Sequence, residues 1–98
     1  MPTIGNMPGA DLPVTFPSGE TRTVNMIVLL AEVQNAEWHA KYGTAIPGAH
    51  KHRITIKAMR EKYELDWFFD KPVKTWVDCA AVMRHIHTVF TEHIEAHR

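Results

Sequence analysis

The chain is poor in the residues that usually announce a chemistry. Cys79 is its only cysteine, so no intrachain disulfide can form and nothing suggests an oxidising compartment. Ser18 is its only serine. It lies in the turn-like stretch Pro17-Ser18-Gly19-Glu20, and no glycine-flanked nucleophile elbow surrounds it. The five glycines form no loop that could cradle a phosphate. Net charge is lacking too: eleven Lys and Arg balance eleven Asp and Glu. That balance argues against a generic binder of nucleic acid or membrane surface. It also leaves little colloidal repulsion between copies, which tolerates self-association. The longest apolar run, Met26 to Ala31, is too short to cross a bilayer. Met1-Pro2-Thr3-Ile4-Gly5 has neither the basic region nor the apolar run of a signal peptide. A cytoplasmic protein without membrane contact is the expectation.

What is present reads as one domain. Ninety-eight residues, 45% hydrophobic and 22% charged, suit a small folded core rather than a disordered chain. Residues 1–12 hold Pro2, Gly5, Pro8 and Gly9 without periodicity and read as an irregular arm. The domain is expected over 13–98. Pro13 to Phe16, the Pro17-Ser18-Gly19-Glu20 turn and Thr21 to Val24 predict a β-hairpin. Asn25 can cap a helix that Gly43 stops near Tyr42.

Further on, His52 to Ala58 and Tyr63 to Phe69 both alternate apolar with polar residues. This predicts a second hairpin with Met59-Arg60-Glu61-Lys62 as its loop. The register would set Lys57 against Glu64, Thr55 against Asp66, Ile56 against Leu65 and Ile54 against Trp67. Asp70-Lys71-Pro72 breaks the pattern, and a long helix follows from about Val73 or Lys74. The expected fold class is α+β in ββα-ββα order: a small antiparallel sheet from two β-hairpins, with two helices on one face.

The helices differ in their faces. Trp76, Cys79, Ala80, Val82, Met83, Ile86, Val89, Phe90 and Ile94 give the second helix one wide apolar side, opposite Asp78, Arg84, Thr88, Glu92 and Glu95. The first helix carries two apolar stripes: Met26, Leu29, Leu30, Val33, Ala36 and Ala40, and separately Ile27, Ala31, Trp38 and Tyr42. One can face the sheet. The other needs a cover, either the second helix or another chain.

Seven histidines are the other marked feature. His93 and His97 are four apart on a helix, a spacing that can hold zinc or nickel. They also fall near the helix end, where imidazolium is favoured against the dipole. His50 and His52 share a strand face if the strand begins that early. His39 followed by His50-Lys51-His52 resembles the zinc-binding histidines of the pyruvoyl-tetrahydropterin synthase family. That resemblance implies a zinc site, but the family's glycine between the paired histidines is Lys51 here, and its upstream catalytic cysteine has no counterpart. No cofactor is assigned on it.

Residues 41–62 hold six basic side chains (Lys41, Lys51, Arg53, Lys57, Arg60 and Lys62) against the single acid Glu61. A nucleic-acid contact through the basic hairpin 50–69, and its segment 50–62 in particular, is therefore the second expectation. Glu64 and Asp66 on the same face would repel phosphates. The leading expectation is a non-catalytic interaction protein that docks on a protein or protein–nucleic-acid partner, as a homodimer. Phage and mobile-element accessory proteins, including host-defence inhibitors, are compact chains of this style. Trp38, Tyr42, Arg53, Arg60, Lys62 and Phe68 are the expected contacts. A histidine-dependent metal protein or enzyme, through His93 and His97, comes third.

Overall fold

A computed structural model describes residues 11–48 and 53–96, with side chains described as far as Glu92. The element order is β1 (Asp11–Thr15), β2 (Thr21–Asn25), α1 (Met26–Tyr42), α2 (Ile56–Tyr63) and α3 (Trp76–Ala96), with a single 3-10 turn at Leu65–Trp67. The class is small α+β.

The first hairpin forms where the turn residues predict it. β1 and β2 pair antiparallel, with Leu12 opposite Val24 and Val14 opposite Arg22. Gly19 takes the left-handed conformation at φ 94°, which only glycine adopts without strain. The Phe16 N–H donates to the Glu20 carbonyl at 2.9 Å and closes the turn. Side chains alternate about the ribbon, and Val24 with Phe16 enters the core.

Asn25 caps α1 as expected. Its Oδ1 accepts from the Ile27 and Val28 amides, each at 3.0 Å, satisfying two of the donors a helix start leaves open. Gly43 ends the helix at φ 72°, its N–H donating to the His39 carbonyl at 2.9 Å. Met26, Leu29, Val33 and Ala36 are buried along one face. Ile27, Ala31 and Trp38 on the other stripe are partly covered, and Tyr42 is exposed. α3 packs along α1 as the principal helix pair, burying Cys79, Ala80, Val82, Met83, Ile86 and Phe90. Thr75 opens α3, its Oγ1 accepting from the Asp78 amide at 3.2 Å and its carbonyl from Cys79 at 2.9 Å. No described helix is long and apolar enough to cross a membrane.

The second hairpin does not form; residues 56–63 are helical. The expected pairs Lys57–Glu64, Thr55–Asp66, Ile56–Leu65 and Ile54–Trp67 are therefore absent, and the only described sheet has two strands. The physical reason is local. Met59-Arg60-Glu61-Lys62, assigned to a loop, is made of strong helix formers and holds no turn residue. Ile56, Met59 and Tyr63 recur three and four apart, so one helix face takes Met59 and Tyr63 into the core. Thr55 supplies the N-cap, its Oγ1 accepting from the Ala58 amide at 3.0 Å.

Glu64 stops α2 in the left-handed region at φ 52°, uncommon for a side-chain-bearing residue. Its carboxylate offsets that strain. It accepts from the Ser18 amide at 2.9 Å, the Ser18 hydroxyl at 2.8 Å and the Arg22 guanidinium at 3.1 Å.

Candidate interaction surface

Two anchors hold the segment after α2. Leu65 and Val73 are both fully buried. Between them Asp66 ties the loop: its Oδ1 accepts from the Val73 amide at 3.0 Å, and its Oδ2 accepts from Arg60 at 2.6 Å. The Arg60 hydrogen bond first, and the Val73 amide second, hold the Asp66 carboxyl below its ordinary range.

The 3-10 turn is closed by the Trp67 amide donating to the Glu64 carbonyl and the Phe68 amide to the Leu65 carbonyl, each at 3.0 Å. With its neighbours pinned, Trp67 projects into solvent at 70% exposure. Phe68 and Phe69 turn back against the core. They line a groove of about 270 Å³ with Ala81, Val82 and His85 of α3.

The α3 side of that groove is apolar beyond it. Val77, Ala81, His85 and Val89 are spaced four apart, and all are exposed, Val77 to 63%. Residues at that spacing form one row on a helix. Trp67, Val77 and Val89 are among the large hydrophobic side chains exposed on the described surface, as are Val28 and Tyr42, and Phe68 and Phe69 line the groove that follows Trp67 in the chain. Such patches mark contact sites more often than they arise by chance.

A second cluster is polar and structural. Glu32 of α1 is buried, and accepts from the Tyr63 hydroxyl and from Lys62 Nζ at 3.1 Å. Burial, then the Glu32 hydrogen bond and charge, push the Tyr63 phenol upward. Arg22 lies across the end of α2, donating to the Lys62 carbonyl at 2.7 Å and pairing with Glu20 and Glu64. A cleft of about 240 Å³ opens here between Phe16, Arg22, Val28 and Lys62. Its cations are matched by Glu20, Glu32 and Glu64, so the cluster holds the hairpin, α1 and α2 together.

The expected contact residues are dispersed. Trp38 and Tyr42 meet, ring centroids 4.3 Å apart, with Tyr42 53% exposed. The Trp38 Nε1 is buried and has no acceptor among the described residues. Arg53 is exposed ahead of α2. Arg60 is engaged by Asp66, and Lys62 by Glu32. Phe68 belongs to the groove. His93 lies on α3, but its side chain and all of His97 fall outside the described residues, as do His50, Lys51 and His52. His39 stacks on Trp76 at 3.9 Å with the rings 8° apart. Among the described residues no group of three His, Cys, Asp or Glu is placed to hold a metal.

Trp67 is the residue that sequence reasoning misplaced. Alternation set it inward against Ile54. The missed signal is the run Trp67-Phe68-Phe69: three consecutive aromatics cannot all share one buried face. Among known proteins, no family model, curated protein or solved structure matches this chain.

Proposed function

We propose that this chain is a non-catalytic interaction domain that docks on a protein partner through the Trp67–Phe69 segment and the adjoining row of α3. The supporting observation is the 70% exposure of Trp67 on a segment held by Leu65, Asp66 and Val73. An aromatic on a tied segment loses little backbone entropy when a partner covers it, which makes it an effective contact residue. Tyr42, at the end of α1, is the other exposed aromatic among the described residues. Accessory proteins of mobile elements, which act by covering a surface of a host protein, are the style of function this suits.

Nucleic-acid contact through residues 53–62 has less support. Of its cations Arg60 and Lys62 are already paired with Asp66 and Glu32. A metal-dependent role through His93 and His97 has no described geometry behind it.

The test is a photoreactive amino acid placed at position 67 in the native host, with position 57 as the control. Docking gives a discrete adduct to one other protein at 67 and none at 57. No adduct at 67, or the same adducts at both, overturns the reading. Retention on heparin that collapses with modest salt would instead favour nucleic acid.

A further inference from the structure

The two edges of the β1–β2 ribbon are not alike. The sheet has two strands among the described residues, so each strand has one outer edge. The Phe16 N–H donates to the Glu20 carbonyl at 2.9 Å, and in an antiparallel ladder the bonded pairs recur at every second residue. In the observed register, Val14 with Arg22 and Leu12 with Val24 are therefore the pairs that exchange bonds. The backbone groups of Pro13 then point outward from β1, and those of Thr21 and Thr23 outward from β2. The Thr15 and Thr21 hydroxyls meet at 2.9 Å, as the closer side chains of a non-bonded pair allow. Pro13 has no N–H, so the centre of the β1 edge cannot donate to another strand. The β2 edge has no such block. Thr21 and Thr23 are exposed, and their N–H and C=O groups have no backbone partner among the described residues.

From this asymmetry, and independently of the Trp67 surface, we infer that the outer edge of β2 takes an extended segment of a protein partner as a third strand, with an uncharged apolar side chain seated in the adjoining cleft. That cleft, of about 240 Å³, is lined by Phe16, by Thr23 and Val24 of β2, by Val28 of α1, and by Lys62 and Tyr63 of α2. No residue of β1 lines it, so it opens on the β2 side. Side chains alternate along a strand. A segment bonded to Thr21 and Thr23 therefore turns its residues beside Arg22 and Val24 to the face that Val24 occupies, which is the face of the cleft. Backbone bonds give such an addition its affinity, and the pocket for alternate side chains gives its selectivity. The volume is below the about 300–1,000 Å³ of a small-molecule pocket and suits a single large side chain. Charge fixes the type of that side chain. Arg22, which also borders the cleft, is paired with Glu20 and Glu64, and Lys62 with Glu32. An anion would compete with those carboxylates, and a cation would meet Arg22 and Lys62. Val28, 39% exposed, is the apolar surface that an uncharged residue would cover.

The experiment pans the full chain against a displayed library of random seven-residue peptides and follows the enriched peptide by amide hydrogen exchange. In the chain alone, the Thr21 and Thr23 amides are expected to exchange at least about tenfold faster than those of Val14 and Val24. Enriched sequences should be uncharged, with a large apolar residue at an alternating position. The synthetic peptide should slow exchange at Thr21 and Thr23 about tenfold. N-methylating its alternate amides should abolish binding, whatever the protein variants do. Thr23→Pro removes an edge donor without removing a ladder bond and should weaken binding at least about tenfold, whereas Thr23→Ala should not. Val28→Glu, on the exposed side of α1, should weaken it similarly, with far-UV circular dichroism showing each variant folded. Protected Thr21 and Thr23 amides in the chain alone overturn the inference. Sedimentation then tells whether a second copy or the chain's own segment covers the edge. No enrichment, enrichment of charged sequences, or a peptide indifferent to N-methylation overturns it as well, as does one indifferent to both Thr23→Pro and Val28→Glu.

Discussion

The Tyr63 hydroxyl donates to the buried carboxylate of Glu32, joining α2 to α1 across thirty-one residues of chain. Lys62 reaches the same carboxylate from the solvent side, its own side chain half exposed. The two partners should therefore matter unequally. Tyr63→Phe leaves a buried acceptor short of its donor and is expected to cost about 1–3 kcal/mol. Lys62→Met is expected to cost under about 1 kcal/mol, because an exposed ammonium contributes little. Urea unfolding with unchanged slope measures both. Equal costs would mean that the carboxylate is not buried as described.

Thr55 decides between helix and hairpin for the middle of the chain. As an N-cap, its loss in Thr55→Ala should cost about 0.5–2 kcal/mol, whereas a strand threonine on a solvent face would lose much less. Backbone chemical shifts over residues 56–63 give the independent check: helical values are expected, and extended values would restore the hairpin.

Cys79 is fully buried, and burial pushes its thiol up to about 11. A thiol so placed is inert. A thiol-specific reagent at neutral pH is expected to leave the native protein unlabelled and to react once denaturant is added. Cys79→Ser puts a hydroxyl into the apolar core beside Met83 and should cost about 1–3 kcal/mol.

His87 is held below its ordinary value of 6.5, first by burial and then by the nearby Arg84 guanidinium. The unfolded chain therefore takes up a proton at a higher pH than the folded one. Stability should fall as pH drops below the ordinary imidazole value, and stop falling below the depressed one. Thermal unfolding between pH 7.5 and pH 5 reads this as a declining midpoint, and His87→Gln should flatten the decline. A midpoint that rises on acidification would contradict the assigned direction.

Arg84 and Glu37 tie α3 to α1 at 2.6 Å, with both side chains close to half exposed. Despite the short distance, Arg84→Ala is expected to cost under about 1 kcal/mol in a salt-containing buffer. The same urea titration tests it.

The punctuation of the first half was legible in the letters. Pro17, Ser18 and Gly19 mark the turn, Asn25 the helix start and Gly43 its end, because each acts through backbone geometry within a few residues. The second half was misread because Ile56 and Tyr63, each counted in a strand alternation, also fall with Met59 at helical spacing on one face. What decides against strands there is partly remote: Ser18 and Arg22 hold Glu64 from more than forty positions away, and no local pattern contains that. For the surface, Phe68 stood out as the one aromatic on the polar side of its alternation, and Tyr42 as a member of the second apolar stripe of α1. Trp67 was not, since its exposure depends on Leu65, Asp66 and Val73 being fixed around it. Arg60 and Lys62 looked free in the sequence because they were set in a hairpin loop, away from Asp66 on its strand and Glu32 on α1.

Arg22 grips the final carbonyls of α2 from a strand finished long before α2 is made. Eight residues are too few to sustain a helix in water unaided. The helicity of the middle of the chain is therefore expected to depend on the hairpin that holds it. Damage to the hairpin should be felt as melting of a helix that it does not adjoin in sequence.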